Sequence, residues 1–306
     1  LLLILQNVIG PVGTQWKLMI VSSSHFKRCS MFERIIPSSG EKIDVIGLGS
    51  WIQFDVSNDS PYREDLKKVL DLLGQGRRGL IDTSPMYGRS EETIGELCEQ
   101  TGSPDQFFYA TKVWTNGKDA GIRQMQASGL KMKRSVMDLI QIHNLVDWQT
   151  HLRTLRAWKE EGKVRYIGIT HYTTASHGNL AAIIRKEPLD FVQFNYSIGT
   201  RDAEKTLLPL ARDKGVAVII NEPLEKGRLF DRVGNRPLPG WAIESGINSW
   251  ACFFLKYIIA HTAVTSVIPA TSVPLHMQDN LSAGTGYVPE EAFRVKMGKY
   301  FNEEVD

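Results

Sequence analysis

The sequence predicts an α/β fold, a (β/α)8 TIM barrel with an N-terminal β-hairpin closing its bottom. Three observations predict it. Short unbroken apolar runs alternate with helix-like stretches, the runs number eight, and no Pro/Gly/Ser linker or low-complexity tract divides residues 33–300. Parallel strands covered by helices read as unbroken apolar runs, and each helix carries the chain back over the sheet. At 306 residues the chain has room for one barrel of about 250 residues. An open, doubly wound sheet is the competing arrangement, and eight units favour closure.

Residues 33–36 and 43–48 are apolar-rich runs joined by Pro37-Ser38-Ser39-Gly40, the turn chemistry of a hairpin. Ser60-Pro61 then opens a segment with Leu66, Val69, Leu70 and Leu73 at helical spacing and Gly74 after the last of them. Residues 79–82 form a short strand, and Ser90-Glu91-Glu92 reads as a helix cap with acid in the first turn. Strands follow over residues 107–111, 139–142, 164–169, 191–194, 217–220 and 266–269, which with the runs at Val45 and Leu80 complete the eight.

Gly74-Gln75-Gly76-Arg77-Arg78-Gly79 spells the dinucleotide fingerprint GxGxxG, but here a helix precedes and a strand follows. The fingerprint needs the reverse order, so that phosphate meets a helix N-terminus. These glycines therefore end a helix and turn the chain.

Lys plus Arg (36) nearly balance Asp plus Glu (34), which argues against nucleic acid or an acidic membrane surface as partner and favours a small molecule. Cys29, Cys98 and Cys252 lack disulfide or zinc spacing, so no metal is expected and a reducing, cytoplasmic setting is. Near the N-terminus the apolar runs cover only residues 1–5 and 18–21, below the roughly 18 residues of a membrane span. The recognisable pattern begins after Met31. Residues 1–30 are thus expected to be a disordered or non-native extension ahead of a single barrel domain over 31–306. The oligomeric state is left open.

Function in such a barrel sits where strands end. Three consecutive strands end in or next to Asp82, Lys112 and His143, and Tyr87 lies in the loop after Asp82. A tyrosine titrates near about 10, and a neighbouring ammonium lowers that value. Lys112 can supply the ammonium, Asp82 can hold it charged and oriented, and His143 can hydrogen-bond a carbonyl oxygen. Together they place a proton donor beside developing negative oxygen, as hydride addition to a carbonyl requires.

Gly47-Leu48-Gly49-Ser50-Trp51, Ile81-Asp82-Thr83-Ser84-Pro85-Met86-Tyr87-Gly88, Thr111-Lys112-Val113-Trp114 and Gln141-Ile142-His143-Asn144 stand in order. With them the chain resembles the aldo-keto reductase superfamily over roughly residues 33–300. The resemblance implies that Tyr87 is the general acid, Lys112 and Asp82 tune it, His143 orients the substrate carbonyl, and NADPH delivers the hydride.

It also implies a cofactor site. Ser50, Trp51 and Asp82 belong to it, and Gln193 matches a carboxamide-binding glutamine. Thr170 and His171 stand where the family usually has Ser-Asn to hold the carboxamide. Asn221 stands in place of a stacking aromatic, with Pro223, Leu224, Lys226 and Gly227 around the pyrophosphate. Ala270, Thr271, Ser272, His276, Asp279 and Asn280 form the adenosine-phosphate segment. Ala270 and His276 replace the Lys and Arg of many relatives, so NADPH is preferred but NADH is admissible.

Trp51, Tyr87, Trp114, His143 and Trp241, with Tyr172, are expected to line the substrate pocket. Little chain follows the helix predicted over residues 290–300, which implies an open pocket and broad tolerance for aldehydes or ketones. Two other readings compete: a nicotinamide-sensing regulatory subunit of the same fold, which has no need of the tetrad, and a metal hydrolase using His143, His171 and His177, whose spacings suit a metal poorly.

Overall fold

The computed structural model describes residues 31–75 and 78–305, and the backbone of residues 3–10 and 13–20. The chain divides into two units, Leu1–Ser30 and Met31–Asp306. In the first, strands β1 (Leu3–Gly10) and β2 (Gly13–Ile20) pair antiparallel. The other residues of the predicted N-terminal extension lie outside the described residues.

The second unit begins with the predicted hairpin, β3 (Glu33–Ile35) against β4 (Lys42–Asp44). Gly40 supplies the left-handed turn at φ 79°, and its amide reaches the Ile36 carbonyl at 2.9 Å. The expected second run, residues 43–48, divides in two: β4 stops at Asp44, and the chain then enters the barrel.

Eight parallel strands follow in chain order: β5 (Leu48–Gly49), β6 (Leu80–Asp82), β7 (Phe108–Val113), β8 (Met137–His143), β9 (Val164–Thr170), β10 (Phe191–Asn195), β11 (Ala217–Asn221) and β12 (Ser266–Val267). Parallel bridges from Ile46 to Val267 and from Gly49 to Ala270 close the ring. An open doubly wound sheet is thereby ruled out, since its strand order reverses and its edges stay apart.

Inside the ring, Leu80, Phe108, Leu139, Tyr166, Phe191 and Ile219 pack with Ile36 and Ile43 of the hairpin, which plugs the end where the strands begin. The hairpin is also tied by charge: Glu41 pairs with Arg78 and Arg165, and Arg78 reaches Asp138 at 3.0 Å. The opposite mouth is thus the end left open.

Local signals held where burial dictated them. Leu66, Val69, Leu70 and Leu73 are the buried stripe of the helix Arg63–Leu73, and Gly74 caps its end. Of the fingerprint-like glycines, Gly74 follows that helix and Gly79 precedes β6, so they do turn the chain; Gly76 lies outside the described residues. Ser90 is a correction: Arg89 is the N-cap, and the Ser90 hydroxyl meets the Thr83 hydroxyl at 3.0 Å instead. No described helix is long and apolar enough to cross a membrane.

One glycine is required by strand packing. Gly168 of β9 lies opposite Phe191, and a Cβ there would meet the Phe191 carbonyl oxygen at 2.7 Å and its Cβ at 3.0 Å. Neither neighbour is free to move, so Gly168→Ala is expected to cost about 1–3 kcal/mol. Calorimetry reads this as a lowered Tm; an unchanged Tm contradicts it.

Candidate active site

Asp82 and His143 are the last residues of β6 and β8, and both side chains sit at the barrel mouth. Lys112 departs slightly from expectation: β7 runs on through Val113, so the lysine lies inside the strand. Register places it beside Gln141 of β8.

Lys112 is 1% exposed and Asp82 3% exposed. Burying such charges is tolerable only when they pair and their other sites are hydrogen-bonded. Here the Lys112 ammonium donates to Asp82 Oδ2 at 2.6 Å and to the Thr83 carbonyl at 2.7 Å, and Gln141 Nε2 donates to Asp82 Oδ1 at 3.3 Å. Its Nζ also lies 5.2 Å from the centroid of the Tyr87 ring. Burial pulls the lysine pKa down, but the Asp82 carboxylate and the adjacent Tyr87 outweigh it and leave the value raised.

Tyr87 differs from the simple expectation. Burial raises its phenol, and this outweighs the downward pull of Lys112. The hydroxyl therefore stays protonated at neutral pH, the state a proton donor needs.

His143 meets Tyr87 edge to face, ring centroids 5.9 Å apart. Burial pushes its pKa down to about 2, helped by the Lys112 charge, so the imidazole is neutral. Ser84 reaches the other ring nitrogen. Its Oγ accepts from the Met86 amide at 3.3 Å and lies 3.0 Å from His143 Nδ1. With the hydroxyl donating to Nδ1, the imidazole proton sits on Nε2, which can donate to a carbonyl oxygen.

Burial also lowers the pKa of His171, His177 and His261. A histidine whose folded value lies below its unfolded value of about 6.5 stabilises the native state above that pH and loses the contribution as pH falls. The expected result is a Tm that drops between pH 7 and pH 5, with a shallower drop in His143→Gln. Equal slopes by calorimetry contradict this.

Above these residues opens a cavity of about 1010 Å³. Ser50, Trp51, Asp82, Thr170 and Gln193 line it as expected, and so do Tyr87 and His143. From the loop after β11 come Asn221, Pro223, Leu224, Lys226 and Gly227; from the region after β12 come Ala270, Thr271, His276, Asp279 and Asn280.

Besides the buried Lys112, four expected residues fall outside the lining. His171 turns its Nδ1 to the Thr173 amide at 3.2 Å and stacks on Tyr172. Ser272 sits within the turn in which the Thr271 hydroxyl accepts from the Val273 amide at 3.0 Å. Trp114 is pinned through its backbone to Gln124 at 2.6 Å. Trp241 packs among Phe253, Phe293 and Tyr300.

Sequence reasoning missed other wall residues, among them Glu222, Phe230 and Trp250. It also missed the strain after β11, where Glu222, Glu225 and Lys226 all have positive φ. Such backbone costs about 1–3 kcal/mol per residue and collects at ligand sites. Buried Glu225 anchors the loop by accepting from Ser197 and Thr200 at 2.5 and 2.8 Å. Lys226 crosses the cavity mouth, 3.1 Å from Glu222 and over the rings of Trp51 and Tyr172.

The cavity suits a dinucleotide. Ser50 Oγ, Asn144 Oδ1, Gln193 Nε2 and Asn221 Oδ1 belong to residues lining it and are buried without a partner. Each orphan is unfavourable by about 1–3 kcal/mol until a ligand or water supplies its complement. His143, His171 and His177 do not assemble as metal ligands, and no group of three or more His, Cys, Asp or Glu among the described residues is placed to hold one.

Comparison with known proteins gives the family. The chain is 27% identical over 214 residues to the aldo-keto reductase YhdN of Bacillus subtilis, covering 65% of this chain and 63% of that one. It is 28% identical over 232 residues to the NADH-specific methylglyoxal reductase of Escherichia coli, covering 64% of this chain and 68% of that one. The match thus spans a little under two thirds of the Bacillus relative's length. In fold it resembles the aldo-keto reductase of Klebsiella pneumoniae crystallised with NADPH, at TM-score 0.75 and 22% identity over 89% of this chain and 96% of that one. Residues 45–295 match the Aldo/keto reductase family, and the chain belongs to it.

Proposed function

We propose that the protein reduces aldehydes or ketones to alcohols with NAD(P)H, Tyr87 giving the proton. One observation carries the reading: Asp82, a protonated Tyr87 and a neutral His143 line one cavity, and the buried Lys112 pairs with Asp82 behind that wall. A reduced nicotinamide bound there supplies the hydride. The residues do the rest. Nε2–H of His143 and the Tyr87 hydroxyl both donate to the substrate carbonyl oxygen, which orients it and withdraws charge as the oxygen becomes negative. Tyr87 then releases its proton to that oxygen, and the Lys112 ammonium, held by Asp82, stabilises the phenolate left behind.

Gln193, Asn221, Leu224, Gly227 and Thr271 are the residues we assign to hold the dinucleotide, with Asp279 and Asn280 at its adenosine end. NADPH comes first, because Thr271 and the N-terminus of the helix Pro274–Ala283 offer donors to a 2′-phosphate. NADH is accepted too, since Ala270 and His276 stand where the resemblance would place a Lys and an Arg to favour the phosphate. Exposed Trp51, Ile52, Met86 and Tyr172 frame the mouth and favour apolar carbonyl compounds of varied size. The test is loss of 340 nm absorbance with NADPH, and separately NADH, against aromatic and aliphatic aldehydes. Turnover supports the reading; nucleotide binding without turnover across the panel favours a sensor.

A further inference from the structure

We infer that Asn221 anchors the carboxamide of the nicotinamide together with Gln193, in the role the family gives to the residue at position 171. The assignment rests on reading the cavity as a nicotinamide site.

His171 is occupied elsewhere. Its Nδ1 faces both the amide and the hydroxyl of Thr173 at 3.2 Å, and its ring lies 5.4 Å from that of Tyr172, nearly parallel to it. A ring held on two sides this way, and absent from the cavity wall, does not serve a ligand inside it.

Asn221 has the opposite circumstances. It ends β11, lines the cavity, and its Nδ2 donates to the His171 carbonyl at 3.5 Å. A carbonyl can only accept, so this contact sets which way the amide faces: nitrogen toward β9, oxygen away from it. That oxygen is buried and has no partner. Gln193, on the neighbouring β10, is its mirror. Its Oε1 accepts from the Thr170 hydroxyl at 2.7 Å, while its Nε2 is buried without a partner.

One orphan acceptor and one orphan donor thus stand on adjacent strands, each tied to one of two consecutive residues at the end of β9. A primary carboxamide offers the complement, a carbonyl for Gln193 Nε2 and an N–H for Asn221 Oδ1. The substitution that removes a stacking aromatic therefore installs a hydrogen-bond acceptor, and the residue that would otherwise supply it has turned away.

The test compares NADH with reduced 3-acetylpyridine adenine dinucleotide, whose acetyl group keeps the carbonyl but lacks the N–H. Dissociation constants are read from quenching of tryptophan fluorescence. In Asn221→Ala we expect the constant for NADH to rise about tenfold and that for the acetyl analogue to stay within about twofold. His171→Ala is expected to leave both within about twofold. Unchanged AMP affinity and Tm show that Asn221→Ala has kept its fold; if they change, Asn221→Ser carries the same comparison.

Equal weakening of the two dinucleotides in the folded variant, no weakening of either, or a His171→Ala variant that separates them overturns the assignment. Failure of the wild-type protein to bind NADPH as well as both of these dinucleotides overturns the nicotinamide reading itself, and the assignment with it.

Discussion

Tyr87→Phe is expected to lower kcat/KM for carbonyl reduction about 10³-fold while leaving dinucleotide affinity within about twofold. Phenylalanine keeps the ring, its edge-to-face contact with His143 and its place over Lys112, and removes only the hydroxyl. His143 cannot replace the lost acid, because burial holds its pKa at about 2 and the imidazole is neutral. What remains is orientation by one hydrogen bond, which binds the carbonyl without protonating it. A loss below about tenfold shows that another group delivers the proton.

Lys112→Met is expected to cost both catalysis and stability. The ammonium is the buried partner of Asp82 at 2.6 Å, and methionine fills similar volume without the charge. Asp82 then keeps only the 3.3 Å contact from Gln141 and becomes an uncompensated buried carboxylate. Breaking a buried pair in this way costs about 3–5 kcal/mol. Chemical denaturation measures it, and kcat falls at least about 10²-fold because the phenolate of Tyr87 loses its counter-charge. The double variant Asp82→Asn, Lys112→Met separates the two effects: it regains most of the stability and none of the activity. If the double variant is as unstable as the single one, the pair is not what Lys112 contributes.

Much of this was legible because a polar residue closing an apolar run marks a strand's C-terminal end. Asp82 and His143 were found so, and each is the last residue of its strand; Thr170 and Asn221, which came from the family resemblance, also end theirs. Gln141 carried a usable signal that went unread. It lies two residues before His143 in the same strand and so faces the same side, where it steadies Asp82. Trp241 was misread because hydrophobicity does not say which neighbours an aromatic will find; its partners Phe253, Phe293 and Tyr300 come from helices later in the chain. The turn of His171 toward Thr173 is a rotamer choice and leaves no trace in residue order. The strained loop at Glu222, Glu225 and Lys226 escaped for a related reason: its positive φ values fall on residues that do not favour them.

The most direct test of the central claim follows an isotope. Wild-type protein is given an aldehyde and NADPH, or NADH, carrying deuterium at both C4 positions, and the product alcohol is examined by mass spectrometry and NMR. The account predicts one deuterium on the former carbonyl carbon, in product that Tyr87→Phe makes at least about a hundredfold more slowly. Alcohol free of deuterium, or formed as fast by Tyr87→Phe, contradicts it.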